Sequence, residues 1–215
     1  MRNIVFVHIP RTGGGTFKNI LISWYLPRNC YRVTCDHEAI LAGIRKGSLA
    51  PFVQHNRVLH GHFVYHASYK KHFLCTFLRN PVDWVVSRWA YHKIHKRPLY
   101  TGSVIDFMDW GFVNMQSKFL KGSTLDDFDF VGITDRYVDS MKMFKKLAPP
   151  SKVEKWININ NWEEEMTWQK KVFGGNFKNA SNRQAYTATD EEKQIIQDRN
   201  QADFKLYNRA LDIYN

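Results

Sequence analysis

The chain has 215 residues, of which 44% are hydrophobic and 15% aromatic. This length suits one domain with a sizeable core and is short for two, and the composition excludes a disordered protein. No apolar run approaches the roughly 18 residues of a membrane-spanning helix, and the glycines follow Arg2 too soon for a signal peptide. We therefore expect one soluble, cytoplasmic domain over residues 1–215, with no membrane partner.

The charge balance points to an anionic partner. There are 31 Lys and Arg against 20 Asp and Glu, which gives a formal net charge of +11. An excess of this kind favours binding of nucleic acid, an acidic polysaccharide or a multiply phosphorylated nucleotide. The basic residues are dispersed, without a run of five or six and without the aromatic-basic pattern of RNA-binding sheets. We therefore predict no nucleic-acid partner.

The predicted elements alternate between strand and helix along the chain. Strands are predicted at residues 3–8, 31–34, 58–60, 72–78 and 128–133. Helices are predicted at residues 16–25, 36–45, 81–95, 104–109, 112–120, 136–147 and 190–214, with irregular structure over 149–189. This alternation predicts an α/β protein: a P-loop-like, three-layer fold with a central, mostly parallel sheet flanked by helices. Ligands of such sheets bind beyond the carboxyl ends of the strands.

A glycine-rich loop follows the first predicted strand. Residues 4–17 read IVFVHIPRTGGGTF. Glycines between a strand and a helix allow close backbone approach, so that several N–H groups can point at one anion beside the helix N-terminus. Arg11 would add a charged contact and Thr16 a hydroxyl, while His8 is expected to pack or hydrogen-bond beneath the loop. The alternative is a tight turn, which glycines also serve.

The loop differs from the nucleoside-triphosphate loop G-x-x-x-x-G-K-[ST]. The first glycine of that pattern is missing, no lysine follows the glycines, and the basic residue precedes them. No clear strand-borne acidic residue is available for magnesium, although the end of FVGITD, residues 130–135, could be stretched to serve. A magnesium-dependent phosphoryl transferase needs that metal to neutralise the γ-phosphate. A P-loop kinase for a small molecule or nucleoside therefore remains only the alternative hypothesis.

A second informative stretch is FLCTFLRNPVDWVVSRWAY, residues 73–91. A strand ends at Arg79, and the chain turns through Asn80 and Pro81, which are an N-cap residue and a first helical residue by type. Ser87 lies two turns into the predicted helix. Arg79 and Ser87 could converge on one phosphate, or be an ordinary surface arginine and helical serine.

Together the two stretches resemble a known family. HIPRTGGGTF resembles the 5′-phosphosulfate-binding loop of sulfotransferases that use 3′-phosphoadenosine-5′-phosphosulfate (PAPS), and FLRNPVDWVVSRWAY resembles their 3′-phosphate-binding strand-turn-helix. Both are most similar to the carbohydrate branch, which includes heparan sulfate 2-O- and 6-O-sulfotransferases. Weaker similarities follow in order at residues 59–63, 114–122 and 130–141 and in the late KNAS. The resemblance thus spans most of the chain.

The resemblance implies a set of nucleotide-binding residues. The 5′-phosphosulfate would be held by the loop residues Arg11, Thr12, Gly13, Gly14, Gly15, Thr16 and Phe17. Arg79 and Ser87 would hold the 3′-phosphate, and Lys178 and Ser181 would belong to a loop that closes over the nucleotide. Arg11 stands where the family commonly has lysine; because it offers a planar fork rather than a point charge, we expect slower or differently aligned transfer.

The stretch LHGHF, residues 59–63, supplies a candidate base. His60 and His62 are two residues apart, so on a strand both would face one side. A histidine that titrates near neutrality suits removal of a hydroxyl proton. The resembling 2-O-sulfotransferases carry the base on the second histidine of a His-Gly-His, which implies His62 as base and His60 as a substrate-orienting or reserve base.

No metal site is predicted. A site formed by His60, His62 and His66 would have no carboxylate or cysteine at characteristic ligand spacing. The C-x4-C pair of Cys30 and Cys35 has no second pair to complete a zinc site, so these thiols are expected to be reduced.

The acceptor is the least constrained part of the prediction. Asn114 and Gln116 follow the second motif and either line the acceptor cleft or are helix-surface amides. The resulting hypothesis is a metal-independent sulfotransferase that uses PAPS, releases 3′-phosphoadenosine 5′-phosphate (PAP), and sulfates a hydroxyl of a carbohydrate or acidic glycan. Besides the kinase, the alternative is a basic binding module for nucleic acid or sulfated polysaccharide with a vestigial nucleotide site.

Overall fold

One parallel sheet forms the centre of the molecule. The computed structural model describes residues 2–25, 30–33, 57–62, 65, 67–94, 102–148 and 186–213. Within these ranges the strands are β1 Ile4–Val7, β2 Cys30–Val33, β3 Val58–Gly61, β4 Phe73–Leu78 and β5 Phe130–Ile133. Their order in the sheet is β2-β3-β1-β4-β5, and every neighbouring pair is parallel. The chain therefore crosses to one side of β1 for β2 and β3 and to the other for β4 and β5.

The helices of the described ranges lie between or after the strands. They are α1 Gly14–Tyr25, α2 Pro81–Ile94, α3 Val104–Asp109, α4 Met115–Phe119, α5 Tyr137–Leu147, α6 Asp190–Arg199 and α7 Gln201–Asp212. Short 3-10 turns occur at Ala67–Lys71, Leu125–Asp127 and Thr134–Arg136. The predicted helix at residues 36–45 and the irregular region over 149–185 lie outside the described residues. None of the helices in the described ranges is both long and apolar enough to cross a membrane.

Hydrophobic clusters cover both faces of the sheet. Side chains alternate along β1, so Ile4 and Phe6 join the cluster that α1 and α5 cover, while Val5 and Val7 join the one that α7 covers. Every residue of β1, β3, β4 and β5 is buried, as expected for strands covered on both faces. Each fully buried large side chain, such as that of Phe6, contributes about 1.5–3 kcal/mol. This arrangement confirms the predicted three-layer α/β fold.

The last predicted helix is wrong in one respect, because it is interrupted at Asn200. This residue is fully buried and leaves the helical region at φ −113° and ψ 34°. Its side-chain oxygen accepts a hydrogen bond from the Asn114 N–H at 2.8 Å, and its amide nitrogen donates to the Ile196 carbonyl at 2.8 Å. An asparagine side chain that binds nearby backbone competes with helical hydrogen bonds, which explains the break.

Helix α4 is shorter than the predicted helix over residues 112–120. Asn114 has a left-handed backbone, at φ 52°, so the helix begins only at Met115. Asparagine tolerates this conformation better than most residues. With this conformation, Asn114 lies against the start of α7 and accepts hydrogen bonds from its first N–H groups.

Candidate active site

Four strand ends meet at one edge of the sheet. Because the strands are parallel, the residues that follow β3, β1, β4 and β5 lie side by side there. A cleft of about 470 Å³ opens at this edge, within the range of small-molecule sites. It is lined by His8, Pro10, Arg11, Gly13, Gly14, Gly15, Thr16, His62, Arg79, Arg88, Tyr91 and Thr134. These described lining residues include three arginines and no carboxylate, so the cleft suits an anion.

The loop after β1 is held by its carbonyl groups. The Pro10 carbonyl accepts from Trp84 Nε1 at 2.7 Å, that of Arg11 from Arg79 Nη1 at 3.3 Å, and that of Thr12 from Thr134 Oγ1 at 2.9 Å. In a trans peptide unit the C=O and the next N–H point in opposite directions. Three consecutive peptide orientations are therefore fixed from outside the loop.

The first turn of α1 supplies backbone donors. The Gly13 carbonyl accepts from the N–H groups of Thr16 and Phe17, which closes the first turn. The N–H groups of Gly14 and Gly15, at the start of the helix, have no hydrogen-bond partner among the described residues. Such N–H groups carry the positive end of the helix dipole and bind anions readily.

The three glycines serve three different needs. Gly13 has φ +78°, a left-handed conformation that L side chains rarely adopt. A Cβ on Gly14 would lie 2.1 Å from His8 Cδ2, so only glycine fits there. A Cβ on Gly15 would meet nothing within 4 Å, because Gly15 faces the cleft. The loop is thus shaped for close approach of a ligand rather than for a turn alone.

Arg11 contacts both Arg79 and Ser87, and of these three residues Arg11 and Arg79 line the cleft. Arg11 Nε donates to Ser87 Oγ at 3.0 Å, and the Arg11 guanidinium lies 5.3 Å from the centre of the Tyr91 ring. Arg79 follows β4 directly. Its Nε is buried without a hydrogen-bond partner in the described part of the chain. A buried, unpaired N–H on a cationic group is suited to donate a hydrogen bond to a phosphate oxygen.

His62 lies at the cleft beside His8. The His62 Nδ1 is 2.8 Å from the His8 carbonyl oxygen, and the two rings are 4.3 Å apart. A carbonyl oxygen can only accept, so Nδ1 carries the proton and Nε2 of the neutral ring carries the lone pair. This is the tautomer that a base at Nε2 requires. His60, in contrast, is 3% exposed within β3 and does not line the cleft.

Two of the predicted loop residues support the loop from behind. Thr12 is fully buried, and its Oγ1 donates to the Ile9 carbonyl at 2.9 Å. Phe17 is fully buried in the core, in edge-to-face contact with Phe6 at 4.8 Å. Both side chains fix the loop, and neither lines the cleft.

Asn114 and Gln116, which the sequence predicts to line the cleft for the acceptor substrate, form hydrogen bonds away from the cleft. The Asn114 side-chain oxygen accepts from the N–H groups of Ala202 and Asp203, at the start of α7. Gln116 is 1% exposed and its amide binds the backbone of Arg79. The structure therefore does not place either side chain on the cleft wall. Lys178 and Ser181 lie outside the described residues.

Sequence reasoning missed Arg88 and Thr134. Arg88 lies within 5.8 Å of the Tyr91 and Phe112 ring centres. Since residues three apart share a helix face, its position three residues before Tyr91 was an available signal. Thr134 gives no such signal, because its contact with the glycine loop depends on the pairing of β4 with β5. Within the described ranges no group of three or more His, Cys, Asp or Glu could hold a metal ion.

The P-loop-like α/β fold is similar to that of a sulfotransferase of known structure. A solved structure titled as mouse sulfotransferase SULT7A1 complexed with PAP matches this chain with a TM-score of 0.52. The match covers 92% of this chain and 82% of that chain, at 14% sequence identity. No protein-family model and no curated protein matches the sequence. A similarity at this identity establishes the fold, and function has to be argued from the site.

Proposed function

We propose that the protein is a PAPS-dependent sulfotransferase that sulfates a hydroxyl of a carbohydrate, with His62 as the general base. The observation that carries the proposal is one cleft in which the glycine loop, Arg11, Arg79 and His62 meet, with Ser87 hydrogen-bonded to Arg11. The sulfotransferase fold supports it, since the neighbour of the same fold was solved with PAP. The carbohydrate acceptor rests on the resemblance of the two motifs and on the net charge of +11.

The residues present fit a donor with phosphates at two positions. The N–H groups of Gly14 and Gly15, with the Thr16 hydroxyl, form one anion site at the start of α1. Arg79 would hold the other phosphate, since its buried Nε has no acceptor among the described residues, and Ser87 would assist through its hydrogen bond with Arg11. When bound, PAPS supplies an activated sulfuryl group, and its transfer leaves PAP.

The side chains have distinct roles in this reaction. His62 Nε2 takes the proton of the acceptor hydroxyl as the new O–S bond forms and the bond from sulfur to the 5′-phosphate oxygen breaks. The His8 carbonyl accepts the Nδ1–H throughout and stabilises the imidazolium that results. Arg11 stabilises the negative charge that develops on the departing phosphate oxygen.

Nucleotide binding tests the donor. Calorimetry should show tighter binding of PAP than of ADP or ATP, because only PAP carries a 3′-phosphate for Arg79. Equal or tighter binding of ATP, or ATP consumption that requires magnesium, would favour the kinase and overturn the proposal. Strong, salt-sensitive binding of polyanions with no measurable nucleotide affinity would instead indicate a binding module.

Turnover of a His62 variant tests the base. We expect His62→Gln to lower kcat by about 10²–10⁴-fold, the usual contribution of a positioned general base. Its affinity for PAP should stay within about twofold of the wild type, which also shows that the variant is folded. The matched variant is His60→Gln, which should retain most turnover, because His60 does not line the cleft. Full activity of His62→Gln would remove this residue from its role.

A further inference from the structure

The structure assigns a positioning role to Gln116, and we propose that its side chain aligns Arg79 with the 3′-phosphate of the donor. The inference rests on the proposed function, because it concerns the nucleotide that Arg79 would hold. Gln116 itself lies behind the cleft wall, so it would act through Arg79 and not by touching the nucleotide.

The side-chain amide of Gln116 binds both backbone groups of Arg79. Gln116 Oε1 accepts from the Arg79 N–H at 3.0 Å, and Nε2 donates to the Arg79 carbonyl at 2.9 Å. Two directly opposed residues exchange the same pair of bonds in an antiparallel ladder. Gln116 thus extends the pairing of the chain one residue past the end of β4 at Leu78. Its amide fixes the point from which the arginine side chain leaves the backbone.

The helix that carries Gln116 is itself anchored. Helix α4 has five residues, too few to be stable alone. The buried Asp203 carboxylate accepts from the N–H of Gln116 at 3.0 Å and from the N–H and hydroxyl of Ser117, both at 2.7 Å. Asn114 returns the contact by accepting from the first N–H groups of α7. Gln116 is therefore held by the start of α7, a segment far along the chain.

The position of Arg79 also matters for the glycine loop. Arg79 Nη1 donates to the Arg11 carbonyl at 3.3 Å, while its Nε is buried without a partner in the described residues. A shift of the Arg79 backbone would move the free donor and the loop contact together. Because misplacement by about 1 Å can cost on the order of 100-fold in an enzyme site, a rigid anchor at this residue has functional value.

The chemistry requires an amide at position 116. The two backbone groups of Arg79 are a donor and an acceptor, so the side chain at position 116 must offer one acceptor and one donor. Gln116→Glu keeps the size and accepts from the N–H, but an ionised carboxylate cannot donate to the Arg79 carbonyl. At a pH low enough to protonate the introduced carboxyl group, the missing donor returns.

The test compares the affinity for PAP with that for ADP, which lacks the 3′-phosphate, by calorimetry. We expect Gln116→Glu to raise the Kd for PAP by at least about tenfold and to leave the Kd for ADP within about twofold. Lowering the pH should recover part of the lost preference for PAP. The matched control is Gln201→Glu, the same change at an exposed position of α7, which should leave the ratio of the two Kd values unchanged.

The outcomes separate the two proposals. If wild-type protein shows no preference for PAP over ADP, the proposed function fails. If the preference exists and Gln116→Glu weakens the binding of both nucleotides equally, or of neither, the proposed role of Gln116 is overturned. Should Gln116→Glu not fold, Gln116→Asn decides, since it retains both amide groups on a side chain one methylene shorter. A smaller loss confined to PAP supports the inference, and an unchanged ratio overturns it.

Discussion

Gly14 shows how closely the glycine loop and the proposed base are packed. A methyl group there would lie 2.1 Å from His8 Cδ2, and the His8 ring is held between Phe6 at 5.2 Å and His62 at 4.3 Å. The ring therefore has no simple way to move. We expect Gly14→Ala to lower the free energy of unfolding by about 1–3 kcal/mol, the usual cost of overpacking.

The neighbouring glycine provides the comparison. Gly15→Ala places its methyl group in open space, so the free energy of unfolding should be unchanged or up to about 1 kcal/mol higher, because alanine favours helix. Urea denaturation of the two variants measures both effects. Equal stability of Gly14→Ala and wild type would show that the contact with His8 is not as tight as described.

At this scale the sequence reveals the chemical types at the site more readily than their contacts. The glycines and Arg11 follow one predicted strand and Arg79 follows another, so their meeting at one edge of a parallel sheet could be predicted. The position of Gln116 could not, since its partner Arg79 is 37 residues away and the contact depends on how α4 docks. The sequence suggested an acceptor-binding amide there, and the structure shows a buried one.

Among the elements, the contact of α4 with α7 predicts a pH dependence. Burial raises the pKa of Asp203, although hydrogen bonds from Ser117 and Gln116 and the charge of Lys118 oppose the shift. An acid with a raised pKa in the folded state binds a proton there before it does so in the unfolded chain. Protonation on acidification therefore favours folding, and this contribution is lost as the pH rises through the raised pKa.

An Asp203→Asn variant isolates this contribution. It cannot titrate, so the free energy of unfolding of the wild type minus that of the variant should increase as the pH falls from 7 towards about 4. Urea denaturation across this range measures the difference. A difference that stays constant or decreases on acidification would contradict the assigned shift at Asp203.

The strands were predicted within about two residues, because continuous apolar runs bounded by polar residues carry a strong signal. The break between α6 and α7 was not predicted, since the helical pattern of hydrophobic residues continues across Asn200. At the break the Asn200 side chain binds both the nearby Ile196 carbonyl and the N–H of Asn114, a residue distant in sequence. Local patterns describe helix content, whereas tertiary partners decide where a helix stops.

For the whole molecule, charge should control nucleotide affinity. The chain has a net charge of +11, and three arginines but no Asp or Glu are among the described residues that line the cleft. Added salt screens such a field, with a Debye length of about 10 Å at 0.1 M and about 3 Å at 1 M. We expect the Kd for PAP to rise on the order of tenfold between 0.05 and 0.5 M sodium chloride.

Uncharged adenosine is the control for this measurement. Its Kd should not change over the same range, because it carries no phosphate. A Kd for PAP that is equally insensitive to salt would mean that the arginines do not act as charges on the nucleotide.

The hydrogen bonds that hold the glycine loop have a consequence for the order of folding. The carbonyl groups of Pro10, Arg11 and Thr12 are held by side chains 74, 68 and 122 residues further along the chain. Closing such long loops costs entropy that must be regained by later contacts. A nascent chain that has passed Phe17 contains the whole sequence of the glycine loop and none of its folded structure. Capacity to bind nucleotide should thus arise among the last properties of the folding chain, and it reports that β4, α2 and β5 have all docked.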